Sequence, residues 1–398
     1  MNNFDFCTPT RVVFGVDTED RTGELIKDCG GSRVLVLYGG GSVVRSGLLA
    51  RVEASIKNAG LDYLTIGGVQ PNPRVAFAEE ARAKAVAFGT DFIMSVGGGS
   101  VIDTAKAVAH GTANPEHTIW DIWTKKVPLT KSVPIGNVIT IPAAGSEMSD
   151  SAVLTNEELG LKNGLSTPFN RCKFSIMNPA YVETLPPYQM GAGIADIMMH
   201  TIERYFTPGD PCLLTDEIAE GLLRTVVGCG RRVLEGCVGT DAIKPDREAI
   251  GEIMWAAALS HNDLTHVGRT RDMVVHKFGH ALSARFDVTH GASLAAVWGS
   301  WALFVYKNNP ERFAQYAEKV WGITEGSVDD KAKAGIAATV AYFKEIGMPT
   351  SLTDLGVAHT DEDLKALALN TTQNGTVKVG KLMALGEEEA EAIFRMAI

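Results

Sequence analysis

The chain of 398 residues is predicted to fold as an α/β N-terminal domain with a doubly wound, mostly parallel, Rossmann-like sheet, followed by an all-α C-terminal domain. Three observations predict this. Short β-branched runs alternate with helical patterns through the first half. Two of those runs end in the same Gly-Gly-Gly-Ser turn. Beyond Leu185-Pro186-Pro187 only helical periods continue. Strands that alternate with helices are joined in parallel by crossovers. Prolines continue neither a ladder nor a helix interior, so they mark the boundary. The expected domains are therefore residues 1–187 and 188–398.

Taken in order, Arg33–Tyr38 (RVLVLY) reads as the first strand of the nucleotide-type sheet, closed by Gly39, Gly40, Gly41 and Ser42. Residues 61–66 read as a second strand and 74–88 as a helix. Residues 92–96 read as a third strand, followed by Gly97, Gly98, Gly99 and Ser100 and a helix through His110. Residues 137–141 read as a fourth strand. The earlier run RVVFG, residues 11–15, is an exposed β-branched edge that needs a partner, either in its own chain or across subunits. In the second half, residues 188–206, 216–234, 247–264, 271–285, 291–306 and 331–345 carry helical periods, and no strand is expected beyond residue 190.

Composition narrows the class. Hydrophobic residues make up 45% and charged residues 21%, as in ordinary globular proteins, so two cores can be buried. The net charge is −10 and the lysines and arginines are scattered, which argues against a nucleic-acid or anionic-membrane surface. No N-terminal stretch has the form of a secretory signal, and no apolar run reaches membrane-spanning length, so the cytoplasm is the expected compartment. The six cysteines form no CxxC pair and read as free thiols.

Each glycine-rich turn joins a strand to a helix. Glycine allows a phosphate to approach the backbone, and the amides at a helix start point at the anion. A tight connection without a ligand is the alternative. Neither turn has the GxGxxG spacing or a Walker loop, but two of them in one sheet point to a dinucleotide. Asp103 lies three residues after Ser100 and is placed either to cap the helix or to bond a ribose. Residues 140–147 (TIPAAGSE) form another small-residue turn with hydroxyls.

The nine histidines are unevenly spread. His200 follows Asp196 by four residues, His280 follows His276 by four, and His290 comes ten residues later. Positions i and i+4 share a helix face, so Asp196 and His200 can hold one ion between them. Their surroundings are apolar, and a buried carboxylate needs a compensating cation or donor. An Asp/His set without cysteine suits Zn²⁺ or Fe²⁺. Satisfied core histidines are the other reading.

Residues 97–103 (GGGSVID), 140–147, Thr184-Leu185-Pro186, 193–203 (GIADIMMHTIE) and 276–291, with histidines 14 apart, carry a resemblance. The chain resembles the iron-containing (group III) alcohol dehydrogenases, in their butanol dehydrogenase and broad aldehyde reductase branch, essentially from end to end. The resemblance implies a metal-dependent oxidoreductase that transfers hydride between NAD(P)(H) and a primary alcohol/aldehyde pair, in a homodimer. It implies Asp196, His200, His276 and His290 as metal ligands and His280 beside the nicotinamide and substrate. Gly98, Gly99, Ser100, Asp103, Thr140, Ser146 and Lys162 fall where the family binds cofactor, and the turn of Gly39, Gly40, Gly41 and Ser42 joins them.

Three departures from that pattern stand out. Ala144 replaces a usual threonine, Asn178 replaces a usual aspartate, and Gly39 stands where NAD-preferring members carry an aspartate for the ribose 2′-OH. With no carboxylate to repel a 2′-phosphate, and with Ser42 and Arg45 close by, NADP(H) is expected over NAD(H). The alternatives are a glycerol-dehydrogenase-like polyol dehydrogenase, a dehydroquinate-synthase-like lyase, and a silent metal- and nucleotide-binding protein. The apolar segments around Asp196, His276 and His290 lack most of the basic residues that a phosphorylated lyase substrate would require.

Overall fold

The structure is a computed structural model and describes residues 1–209 and 211–398. It divides into two compact units, Cys7–Thr184 and a second unit formed by Leu185–Ile398 together with Met1–Phe6. The first six residues thus pack with the helical part of the chain; Asn2 donates its amide to the carbonyl of Gly268 at 2.8 Å.

The α/β unit is built on a six-stranded, fully parallel sheet in the order β1-β8-β5-β4-β2-β3. The strands are β1 (Arg11–Phe14), β2 (Arg33–Tyr38), β3 (Asp62–Ile66), β4 (Phe92–Gly97), β5 (Ile135–Ile139) and β8 (Phe174–Met177). An antiparallel hairpin of β6 (Ser151–Asn156) and β7 (Leu161–Ser166) stands outside it. All residues of β4, β5 and β8 are buried, as strands covered on both faces must be. On one face α1 (Thr22–Asp28) and α3 (Leu48–Asn58) pack Leu25, Ile26, Leu48, Val52 and Ile56 against Val34, Val36, Phe92 and Met94. The alternate residues Leu35, Leu37 and Ile93 face the other way and are also fully buried. The short α2 (Ser42–Arg45) follows β2, α4 (Val75–Phe88) connects β3 to β4, α5 (Gly99–Ala113) packs on β4, and α6 (Ile119–Trp123) on α5.

This strand order positions the ligand end. From β2 the chain moves outward to β3, then returns to the other side of β2 as β4. The connections reverse direction between β2 and β4, and in open parallel sheets a crevice forms at the carboxyl ends of the strands at such a point. The two glycine turns occupy it.

Two expectations about the sheet needed correction, and one open alternative is answered. The fourth strand spans Ile135–Ile139 rather than 137–141: it starts directly after Pro134, so Thr140, Ile141 and Pro142 belong to the turn. The hairpin and β8 were not anticipated. Ser175 of β8 donates to Asn137 Oδ1 of β5 at 2.7 Å inside the sheet, and these paired polar residues interrupt the apolar run that marks a buried strand. Strand β1 pairs in parallel with β8 of its own chain, Arg11 opposite Phe174 through Phe14 opposite Met177.

The second unit is helical: α7 (Pro187–Tyr205), α8 (Leu213–Leu234), α9 (Arg247–Ser260), α10 (Val274–Phe286), α11 (His290–Val305), α12 (Pro310–Trp321), α13 (Val328–Glu345), α14 (Leu352–Leu355), α15 (Asp361–Thr371) and α16 (Glu387–Met396). Beyond residue 190 the described residues contain no strand, only an isolated bridge between Val379 and Leu385. Helix α9 stops at Ser260, short of the expected 264: His261 already leaves helical geometry at φ −128°, ψ 15°, and Asp263 follows with a left-handed φ of 80° that no continuing helix tolerates. Buried along nearly its whole length, α7 packs against α8, α9, α10 and α11 and forms the centre of the unit. Close approach of α11 is possible because residue 291 is glycine: a Cβ there would lie 1.9 Å from the Ala192 carbonyl oxygen of α7. That contact carries His290 to the middle of α7.

Candidate metal centre and nucleotide turns

On α7, Asp196, His200 and Glu203 fall at i, i+4 and i+7, so one helix face carries all three. Helix α10 contributes His276 in its first turn, and α11 starts at His290. Asp196 Oδ1 is the common point: it lies 3.4 Å from His200 Nδ1, 3.4 Å from His276 Nε2 and 3.9 Å from His290 Nε2. Asp196, His276 and His290 each present a ligand atom within 4.8 Å of the others. His200 flanks this trio, with its ring stacked on His261 at 4.0 Å between centroids.

Asp196, His200 and His276 are almost wholly buried, yet Asp196 Oδ1, His200 Nδ1 and His276 Nε2 have no hydrogen-bond partner. Unsatisfied buried polar atoms each cost about 1–3 kcal/mol, and three of them converging is unstable unless something bonds them together. A divalent cation does so, and three imidazoles with one carboxylate form a donor set suited to Zn²⁺ or Fe²⁺. His290, whose side chain is 25% exposed, is the most open of the four. His280 lies one turn beyond His276, its ring centroid 5.4 Å from that of His290 and 6.3 Å from that of His276, so it stands beside the group.

One participant escaped the sequence reading. Glu203, fully buried, accepts hydrogen bonds from His276 Nδ1 and from the Val275 amide, with the His276 amide at 3.3 Å. Its spacing of seven from Asp196 was the available signal. Burial alone would push the His276 imidazolium down, but the charge of Glu203, together with Asp196, lifts it to about 9. His200 is held well below its ordinary value by burial, then by His261 and His276.

In the α/β unit, the turns after β2, β4 and β5 lie at the carboxyl ends of adjacent parallel strands. Helix α5 starts from Gly98 with no side-chain cap and no acidic residue in its first turn, so its leading amides keep their donor capacity for an anion. A Cβ on Gly98 would press on Ile141 at 3.1 Å, and one on Gly99 would meet the Ala144 methyl at 3.4 Å. The residue that replaces the usual threonine is thus packed at the helix start. After β2, the space around Gly40 is open, and Arg45 folds back so far that a Cβ on Gly41 would meet its Nη1 at 2.6 Å.

Other expected cofactor residues are engaged within the unit. Asp103 neither caps α5 nor stands unbonded: it accepts from the Ser146 hydroxyl at 2.5 Å and the Val153 amide at 2.8 Å. Fully buried Lys106 donates to the Ser146 hydroxyl and carbonyl and to the Ser151 carbonyl. The turn of residues 140–147 is thereby fastened to α5 and the hairpin. The Thr140 amide bonds the Gly97 carbonyl at 3.1 Å, and Lys162 Nζ donates to Asn72 Oδ1 at 2.7 Å. Lys106 was not anticipated, although a lysine within the apolar stretch AKAVA signals an internal partner. Glu147, in the same turn, is buried, which pushes its carboxyl up to about 7.

Comparison with known proteins covers nearly the whole chain. The family model described as iron-containing alcohol dehydrogenase matches residues 9–179, and that of the Fe-containing alcohol dehydrogenase family, C-terminal, matches residues 191–398. The chain is 35% identical over 397 residues to NADH-dependent butanol dehydrogenase A of Clostridium acetobutylicum, covering 99% of each protein. It is equally 35% identical over 388 residues to the NADPH-dependent aldehyde reductase YqhD of Escherichia coli, covering 96% of each. Among solved structures, NADH-dependent butanol dehydrogenase A from Thermotoga maritima is similar with a TM-score of 0.93 and 37% identity, over 100% of this chain and 99% of that one.

Proposed function

The chain belongs to the iron-containing alcohol dehydrogenases, and from that membership we propose that it interconverts a primary alcohol and its aldehyde with NADP(H), using one divalent ion held by Asp196, His200, His276 and His290. The observation that carries the ligand assignment is the convergence of buried, unsatisfied Asp196 Oδ1, His200 Nδ1 and His276 Nε2. When bound, the ion supplies Lewis-acid chemistry at the substrate oxygen, and the nicotinamide supplies the hydride. His280, next to His290, is assigned to exchange the proton of the substrate oxygen with solvent. The buried walls of α7, α10 and α11 limit water around the ligands. The relatives' names are alcohol and aldehyde oxidoreductases, which favours this reading over the lyase, polyol and silent-binder alternatives.

The cofactor phosphates are assigned to the amides of Gly39, Gly40, Gly41 and Ser42 and of Gly98, Gly99 and Ser100. Asp103, Thr140, Ser146 and Lys162 are assigned to the same cofactor site, with Asp103 bonded to Ser146 and Lys162 to Asn72. The preference for NADP(H) rests on Gly39, which brings no carboxylate, and on Arg45, whose guanidinium lies over Gly41. The relatives' names divide on this point, since the butanol dehydrogenases are NADH-dependent and the aldehyde reductase NADPH-dependent.

A homodimer is proposed on family membership, with the open edge of β1 as one available pairing surface. Free thiols such as Cys29, Cys172 and Cys229 support a reducing compartment, taken as the cytoplasm, and no helix among the described residues is long and apolar enough to cross a membrane. The test is metal analysis of the purified chain, followed by an aldehyde panel with NADPH and NADH. One divalent ion per chain and aldehyde-dependent NADPH oxidation are expected; a fully active metal-free chain overturns the proposal. Sedimentation of a monomer at micromolar concentration overturns the dimer.

A further inference from the structure

We infer that Glu203 is the positioning residue of the metal centre: its carboxylate holds a proton on His276 Nδ1 and so keeps the Nε2 lone pair aimed at Asp196 and the ion. The assignment rests on the metal reading above and adds to it a residue outside the ligand set. Two helices meet at this carboxylate. Glu203 lies on α7, on the face that carries Asp196 and His200, whereas His276 lies in the first turn of α10, 73 residues later. Oε2 accepts from His276 Nδ1, and Oε1 accepts from the amides of Val275 and His276. An ionised carboxylate only accepts, so the imidazole nitrogen facing it carries the hydrogen, and the opposite nitrogen is the one a cation takes in place of a proton.

The backbone bonds give the arrangement its rigidity. Helix α10 has no side-chain cap of its own: its N-cap residue, Met273, cannot accept a hydrogen bond in that way. Glu203 supplies the missing acceptor from another helix, so the carboxylate that orients the ring also fixes the backbone bearing it. His276 Nε2 faces Asp196 Oδ1 at 3.4 Å, and neither atom has a hydrogen-bond partner. The ring thus has one nitrogen committed to a carboxylate and the other directed at the ligand cluster.

Glu203→Gln keeps shape and length but not this logic. Its amide has one accepting oxygen for donors on two sides, and its NH₂ turns toward either the backbone amides or Nδ1. In the second case His276 takes the Nε2–H tautomer and points a hydrogen at the ion. The experiment uses the full chain loaded with zinc and labelled with ¹⁵N-histidine. Zinc affinity is measured by chelator competition, and the His276 ring protons are followed by NMR. The wild type is expected to show a protonated, slowly exchanging Nδ1 on His276. The variant should hold zinc about 10- to 100-fold more weakly and lose that resonance. A variant that keeps wild-type zinc affinity and the same His276 tautomer overturns the role of Glu203 alone. Should the variant fail to fold, the wild-type spectrum decides, because Nε2–H on His276 in the zinc-loaded chain overturns it too. A wild-type chain that retains no zinc instead overturns the metal reading beneath it.

Discussion

The side-chain amide of Asn178 donates to Oε2 of the fully buried Glu19 at 3.0 Å, while Asn178 Oδ1 accepts from the Ala180 amide at 3.0 Å. Glu19 also takes the Tyr181 hydroxyl at 2.8 Å and pairs with Arg51. An aspartate at this position would keep the acceptor, lose the donor and set a second carboxylate against the first. Asn178→Asp is therefore expected to cost about 1–3 kcal/mol, several degrees in melting temperature. The cost should shrink as pH falls, because the introduced carboxyl group, once protonated, can donate again. Melting curves of both proteins at acidic and alkaline pH test this; an equally stable variant at alkaline pH would show that Glu19 does not select the amide.

The metal ligands should act as one unit. His276→Ala or His290→Ala removes a donor that faces Asp196 Oδ1, at 3.4 Å and 3.9 Å respectively. Metal content and aldehyde reduction are expected to fall together, by about 100-fold or more in metal affinity, since even residues behind the ligands are worth about 10- to 100-fold. Elemental analysis beside steady-state turnover provides the measurement. Undiminished turnover in a metal-free variant would detach the cluster from catalysis.

Cofactor choice can be tested from both sides of the first glycine turn. Gly39→Asp should favour NADH by adding an acceptor for the 2′-OH and a charge against a 2′-phosphate. Arg45→Ala should weaken NADPH and leave NADH nearly unchanged, because its guanidinium lies over Gly41 at the surface. A charged contact to phosphate is worth about 1.5–3 kcal/mol, so kcat/KM for NADPH is expected to drop about ten- to hundredfold. Equal or better use of NADH by the wild type would reduce Gly39 to a turn residue.

His110 predicts an acid limb of stability. Asn170 already donates its amide to the carbonyls of Asp150 and Leu165, so its Oδ1 accepts from His110 Nε2 at 2.8 Å. Nδ1 meets the Ser132 hydroxyl at 2.7 Å, and the ring is neutral with both nitrogens satisfied. Burial depresses its pKa from 6.5 to about 4. Between those values the unfolded chain binds a proton that the folded chain does not. Stability is thus fully present above pH 6.5 and is lost as pH falls through 4, by up to about 3 kcal/mol. His110→Gln should lower stability at pH 7 but flatten this part of the curve. Parallel pH profiles for the two proteins would remove His110 from the acid limb.

Relationships between near neighbours were legible in the amino-acid order. Alternating strands and helices, the two Gly-Gly-Gly-Ser turns and the i, i+4 pair of Asp196 and His200 all lie within one local period, where backbone geometry alone says which side chains share a face. Distant relationships required the folded chain. Folding placed the glycine turns side by side by reversing the connections between β2 and β4. It recruited β8, whose Ser175 looks unlike a buried strand until Asn137 answers it. It joined Asp103 to Ser146, 43 residues away, and Glu203 to His276, 73 residues away. Buried polar groups must find partners wherever the packed chain brings them. A sequence shows that such a group needs a partner, and folding chooses which one it gets.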